Sequence, residues 1–408
     1  ERLDAMLAST AGSEYFNSLN FTRSSITFIE DENGNVTRHG VKGFWSIPAL
    51  AGLSTGTVAA LPSKENWLSA EFCDKCDCLV VETPYYRAKL SNDGSFVSLY
   101  DKELDREWVK EGCGFNKLHL YADNPGMYDA WDILPNYKDV QVALNVDKPL
   151  ALVSSDGSSA EFAVTFTTEK STWKMILRFF ADSRAIEVEN VVDWDEKHKL
   201  AKVNFGPDVL TRELVCDTSA GFVKRDLTKN TSWQQARFEV CHHKWCDMSE
   251  SGSGIAIINE GKYGVGLEED EISLSLLRAN IRPDITSDIG HHDFCYTILP
   301  HSGDAVEAQV NKTAMEYNVP LCKSNVTVPA ALRDTLNDCG LYLQAMKRSE
   351  DGQYLILRLS EQDGRRGKIA FPFEVQTMNL IEDIEGSTKV VYYHPFELIT
   401  VAVKPEDL

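Results

Sequence analysis

Residues 161–194 read "EFAVTFTTEKSTWKMILRFFADSRAIEVENVVDW", and their periodicity decides the fold. Phe162, Val164 and Phe166 alternate with small or polar residues, as do Trp173, Met175, Leu177 and Phe179. Ile186, Val188, Val192 and Trp194 form a third series. A period of two places such residues on one side of a pleated strand, so three antiparallel strands with one buried face are expected. Working outward, "SSITFIEDENGNVT" (24–37) reads as a hairpin turning at Asn33-Gly34, a dipeptide that suits a two-residue turn. "GIAIINEGKYGVGLE" (254–268) reads as a hairpin turning near Gly261, and "KVVYYHPFELITVAV" (389–403) as two further strands. "NWLSAEF" (66–72) is the one interior segment that reads as a helix. With no long helices between strands, a doubly wound or barrel α/β fold is excluded in favour of β-sandwiches in series. Composition shifts near 65–78 and 312–330 mark their boundaries.

The chain of 408 residues, 43% hydrophobic, is long enough for two or three cores. Its 62 acidic residues outnumber 41 basic ones, for a net charge of -21. Such a surface repels phosphate backbones and anionic bilayers, which argues against nucleic acid or membrane partners and for a neutral ligand. No apolar run reaches the roughly 20 residues of a membrane span. "ERLDAMLASTAG" (1–12) spaces Leu3, Met6 and Leu7 as a helix does and offers Gly12 as a cap. It reads as the end of a helix whose partners are absent, so a longer parent chain is expected. The ten cysteines follow no disulfide framework. Cys73, Cys76 and Cys78 could meet Cys241, His242, His243 and Cys246 around zinc, but neither piece has a dedicated zinc spacing, and reduced thiols are expected.

Two segments stand apart from the strand pattern. "YADNPGMYDAWDI" (121–133) crowds tyrosines, a tryptophan, a proline and three aspartates into an irregular stretch. "SLLRANIRPDITSDIG" (275–290) closes a buried strand at Leu274, Leu276 and Leu277 and continues as a loop rich in arginine and aspartate. Rings can stack on a pyranose face and carboxylates can accept its hydroxyls, so Asp123, Tyr128, Asp129, Trp131 and Asp132 are candidates for a sugar-cleft rim. Arg278, Asp284, Asp288 and His291 form a second group for the same rim. The alternative is a scaffold in which Trp131 is a core ring and the aspartates cap turns or pair with basic neighbours. His291 and Asp293 would share a strand face, as two metal ligands can, although two ligands do not make a site. No catalytic residue and no metal ligand is assigned to this chain.

The segments 116–133, 230–303 and 395–403 resemble the C-terminal half of α-mannosidases of glycoside hydrolase family 38, of the cytosolic and bacterial type. "EYFNSLNFTRSSITF" (14–28) is similar to the β segment that follows that family's helical bundle. The D-A-W-D and P-D-x-x-x-D-x-G-x-H patterns carry the likeness. It implies a mainly β chain: a helical remnant at 1–15, a small β-sandwich at 16–78, a large galactose-mutarotase-like supersandwich at 79–320, and a small C-terminal sandwich at 321–408. The family's signature His-x-His-x-Asp segment is not in this sequence. The resemblance therefore implies that the aspartate nucleophile and the zinc belong to an N-terminal catalytic domain outside this chain, with no cofactor in the chain itself. Its implied partners are that domain and a mannose-containing oligosaccharide, and an exposed junction surface would favour self-association. A cytoplasmic location is expected, or a lysosomal or vacuolar one in a eukaryote. A free-standing carbohydrate-binding module and a mutarotase-like enzyme are the alternatives.

Overall fold

The computed structural model describes residues 14–268, 270–324 and 326–408. The helix expected at 1–12 lies outside the described residues. The protein is mainly β. Among the described residues the largest sheet has nine strands and contains the three predicted ones in sequence, as Ser159–Thr167, Thr172–Phe180 and Ile186–Trp194. Their register pairs Phe162 with Leu177, Val164 with Met175, Phe166 with Trp173 and Leu177 with Val188. All of these side chains are buried in one cluster, packed against a six-stranded sheet and a five-stranded one. The gap in the third series, Asn190, is also buried and accepts the Trp173 indole N–H at 2.8 Å. A polar side chain inside the core is thereby satisfied.

One expectation about this sheet fails in an informative way. Its other face, which carries Glu161, Arg178, Glu187 and Glu189, reads as solvent-facing but is covered. A three-stranded sheet built from Thr27–Glu30, Val36–Arg38 and Val41–Ser46 lies over it, with Trp45 against Phe180 at 4.8 Å between ring centroids. The C-terminal sheet has its own core, in which Leu332 and Leu336 of a short helix pack on Leu357, Phe371 and Val401.

Local readings fail where long-range pairing wins. Thr27–Glu30 and Val36–Arg38 are not hairpin partners, because Val41–Ser46 lies between them. The two-residue turn is instead His39-Gly40, with φ of 51° and 73°. Gly34 serves a close approach, since a Cβ there would stand 2.1 Å from the Gly43 carbonyl oxygen. Ser253–Asn259 and Gly264–Leu267 form no hairpin either: the first joins the nine-stranded sheet and the second the six-stranded one. The expected helix at 66–72 is in part an edge strand, Ser69–Cys73, paired with Cys78–Glu82. Conversely, Val310–Asn318 is a helix in the region read as a boundary. Cys76 and Cys78 are bonded to each other rather than reduced, because the turn at Asp77 brings their Cα atoms to 5.4 Å. That hairpin and the strand Glu239–Cys241 belong to different sheets.

Candidate functional site

The two irregular segments come together. Strands Phe115–Ala122 and Ile272–Arg278 flank Lys199–Phe205 in the six-stranded sheet, with Ala122 opposite Lys199 and Leu200 opposite Arg278. Both loops therefore leave the same end of that sheet, one on each side of the central strand. Arg278 ties them: its Nε donates to the Asp123 carboxylate and its Nη2 to the Asp132 carbonyl. Its own backbone N–H donates to Asp288 at 2.9 Å.

Asp129 makes the second tie. Its buried carboxylate accepts the backbone N–H groups of Ile281 at 2.8 Å and Arg282 at 2.9 Å, and the Ala130 N–H donates to the Arg282 carbonyl. Burial alone would raise the Asp129 pKa, but the two amide donors outweigh it and hold the carboxyl below its usual range. Such a group stabilises the fold at pH values above the ordinary carboxylate range and ceases to do so as pH falls through its depressed value. Asp129→Asn should cost about 1–3 kcal/mol locally, because an amide NH2 must then face a backbone donor. Hydrogen exchange at Ile281 and Arg282 checks this: protection should fall while the core strands keep theirs, and unchanged protection at both amides would refute the tie.

The rest of the predicted rim divides by exposure. Tyr128 is 63% exposed and Trp131 69% exposed, so Trp131 is not a core ring. The two meet edge to face, with centroids 5.7 Å apart and planes at 78°. Two further apolar side chains of these segments are exposed, Met127 in the first loop and Ile285 in the second. Exposed Asp132 accepts the N–H of its neighbour Ile133. Asp284 caps its own turn through the Thr286 N–H and hydroxyl, both at 2.8 Å, which lowers its pKa.

His291 stands apart from the loops, on the nine-stranded sheet. Its ring lies between Asp193 at 2.7 Å and Asp293 at 3.1 Å, and the bond to Asp193 leads the causes that raise its pKa. The neighbour that touches the 278–288 loop is His292, through the Asp288 carbonyl at 2.8 Å. These rim donors do not fit the zinc implied by the resemblance. His291 has each ring nitrogen engaged by a carboxylate and Asp129 is committed to two backbone amides. Asp123 gives one oxygen to Arg278, and among the described residues its free Oδ1 has no further donors beside it to complete a metal set.

A nine-stranded sheet packed on six- and five-stranded ones, with two interlocked loops at one end, defines a mainly β protein of the β-sandwich class. The profile of the glycosyl hydrolases family 38 C-terminal domain matches residues 81–286, and that of the family 38 C-terminal beta sandwich domain matches 340–401. The chain belongs to glycosyl hydrolase family 38. It is 31% identical to human alpha-mannosidase 2C1 over 288 residues, which is 68% of this chain and 28% of that protein. Over 357 residues it is 28% identical to alpha-mannosidase G of Dictyostelium discoideum, covering 79% of this chain and 32% of that one. The chain thus spans less than a third of the length of these relatives. A crystal structure of an alpha-mannosidase from Enterococcus faecalis superposes with a TM-score of 0.65 over 97% of this chain and 49% of that one; at 12% identity this speaks for the fold alone. Among the described residues no helix is long and apolar enough to cross a membrane.

Proposed function

We propose that this chain is the β-rich C-terminal portion of an α-mannosidase, inactive by itself, which supplies scaffold and part of the substrate-cleft wall. The parent protein would hydrolyse terminal α-mannosyl residues with the zinc and nucleophile of an N-terminal domain, in the cytoplasm. On this reading residues 16–78, 79–320 and 321–408 are three β units that support the wall. The single observation that carries it is the double tie between the loops. Arg278 and Asp129 lock two segments about 150 residues apart in sequence, and the exposed product of that locking is the Tyr128–Trp131 pair. A rigid, water-facing aromatic pair has little to offer the fold and suits a partner surface or a sugar ring.

Trp131→Ala in the parent enzyme should lower kcat/KM for an α-mannoside by about tenfold, equivalent to about 1.4 kcal/mol, with the melting temperature unchanged. Unchanged kcat/KM would remove the rim role. The isolated chain should show no mannoside turnover, and turnover by it would overturn the reading.

The alternatives fare less well on geometry. Planes at 78° do not make the flat platform expected of a free-standing sugar-binding module. A mutarotase-like enzyme needs a His and Glu pair, and one exists: His39 Nε2 lies 3.1 Å from Glu260 Oε2. Burial would raise the Glu260 pKa, but bonds from His39 and Arg38 hold it below its ordinary value, far from a general acid or base poised near neutrality.

A further inference from the structure

The same pair belongs to a larger buried assembly. His39 comes from the tight turn of the small covering sheet, Glu260 from the residue after strand Ser253–Asn259, and Cys295 from the middle of strand Gly290–Ser302. His39 Nε2 lies 3.1 Å from Glu260 Oε2 and 3.6 Å from Cys295 Sγ, and all three donor atoms fall within 4.8 Å of one another. A tetrahedral zinc ion, with bonds of about 2.0–2.3 Å, keeps its ligand atoms roughly 3.3–3.6 Å apart. Both separations from His39 Nε2 are therefore close to those of ligands, and the third pair of donors lies within 4.8 Å.

Two further features bear on the site. The other ring nitrogen of His39, Nδ1, is buried without a hydrogen-bond partner, with Glu189 Oε1 at 3.8 Å, and that oxygen accepts the His39 backbone N–H at 2.6 Å. A small closure of that gap would give the carboxylate support that metal-binding imidazoles ordinarily have. The surrounding network is also short of positive charge: Glu161, Glu187, Glu189 and Glu260 meet the guanidiniums of Arg38 and Arg178. Four carboxylates against two arginines leave an excess of two negative charges largely out of water, which a divalent cation would offset, with one negative charge left once the Cys295 proton is released. Access is through His39 and Glu260, each about a quarter exposed at the side chain, whereas Cys295 is buried behind them.

We propose that His39, Glu260 and Cys295 bind a divalent cation of the zinc class, with water at the fourth position, and that this ion fastens the small sheet to the nine-stranded one. Coordination replaces the Cys295 S–H bond by a sulfur–metal bond and releases the proton to solvent.

Titration of the 408-residue chain with Co2+ tests this through its absorption spectrum. The expected result is one equivalent bound with tetrahedral d–d intensity and a thiolate-to-cobalt charge-transfer band. That band should vanish in Cys295→Ser and persist in Cys73→Ser. Should Cys295→Ser fail to fold, His39→Asn keeps a side chain that tolerates the left-handed turn and removes a ligand; it should weaken binding at least tenfold and abolish the rise in melting temperature that Zn2+ gives the unaltered chain. A charge-transfer band that survives Cys295→Ser, or Zn2+ stabilisation that survives His39→Asn, would overturn the proposal, as would no uptake at micromolar metal.

Discussion

Arg178→Met is expected to destabilise the protein by about 3–5 kcal/mol and to lower its melting temperature by roughly 4–6 °C. The side chain is 1% exposed, and each of its nitrogens is committed. Nε donates to Glu161 and Nη1 to Glu187, both at 2.7 Å, while Nη2 serves Glu189 and the Thr37 carbonyl. Methionine fills a similar volume, so the loss is electrostatic: Glu187 and Glu189, each 3% exposed at the side chain, are left without their main counter-charge. The Thr37 bond also joins the covering sheet to the nine-stranded one, so the two should loosen together. Adding Glu187→Gln and Glu189→Gln to Arg178→Met should recover more than half of the loss, because a neutralised cluster no longer contains stranded charge. Thermal unfolding of the two variants measures both effects. A cost for Arg178→Met within 1 kcal/mol of zero would mean that water reaches the cluster.

That cluster also marks where sequence reading stops. Alternation at 162–194 located the strands and their apolar face because each apolar residue reports its own side of the pleat. The opposite face carries Glu161, Arg178, Glu187 and Glu189, and charged residues on a strand face ordinarily mean solvent. Only the folded chain brings Thr37, Arg38 and His39 over them, and that pairing depends on which sheets meet. The interlocked loops were half legible. Residue types singled out 123–132 and 278–288, but the tie through Asp129 uses backbone N–H groups, which carry no sequence signature. Asn33-Gly34 misled because the same dipeptide that suits a turn also suits a close approach, here to Gly43. "NWLSAEF" misled because a helix so short gains too little to compete with a sheet edge waiting at Cys78–Glu82.

Acid should destabilise the protein between pH 6.5 and 4, and His242 should account for a large part of it. The ring is fully buried, and burial, assisted by neighbouring His243, lowers its pKa to about 4. The Asn259 side chain shows why the neutral form is preferred. Its Oδ1 accepts the Lys262 N–H at 2.6 Å, so its Nδ2 is the atom that meets His242 Nε2, at 2.9 Å. An amide donor aimed at Nε2 leaves no place for a proton there. In the unfolded chain the imidazole takes up a proton near its ordinary value of 6.5; in the folded chain it refuses one until about pH 4. Over that interval the unfolded state binds more protons, so stability is fully present above about 6.5 and is lost as pH falls toward 4. The full difference is worth on the order of 3 kcal/mol. His119, whose pKa burial also lowers to about 4, adds in the same direction, and less strongly because it is partly exposed. His242→Gln keeps an acceptor for Asn259 and removes the titration. Its unfolding free energy should therefore fall less steeply with acid, by close to one proton between pH 6 and pH 4.5, while its stability at pH 8 stays within about 1–2 kcal/mol of the parent. Denaturant unfolding at half-unit steps of pH gives the slope directly. Parallel curves for the variant and the parent chain would show that the buried imidazole is not what acid attacks.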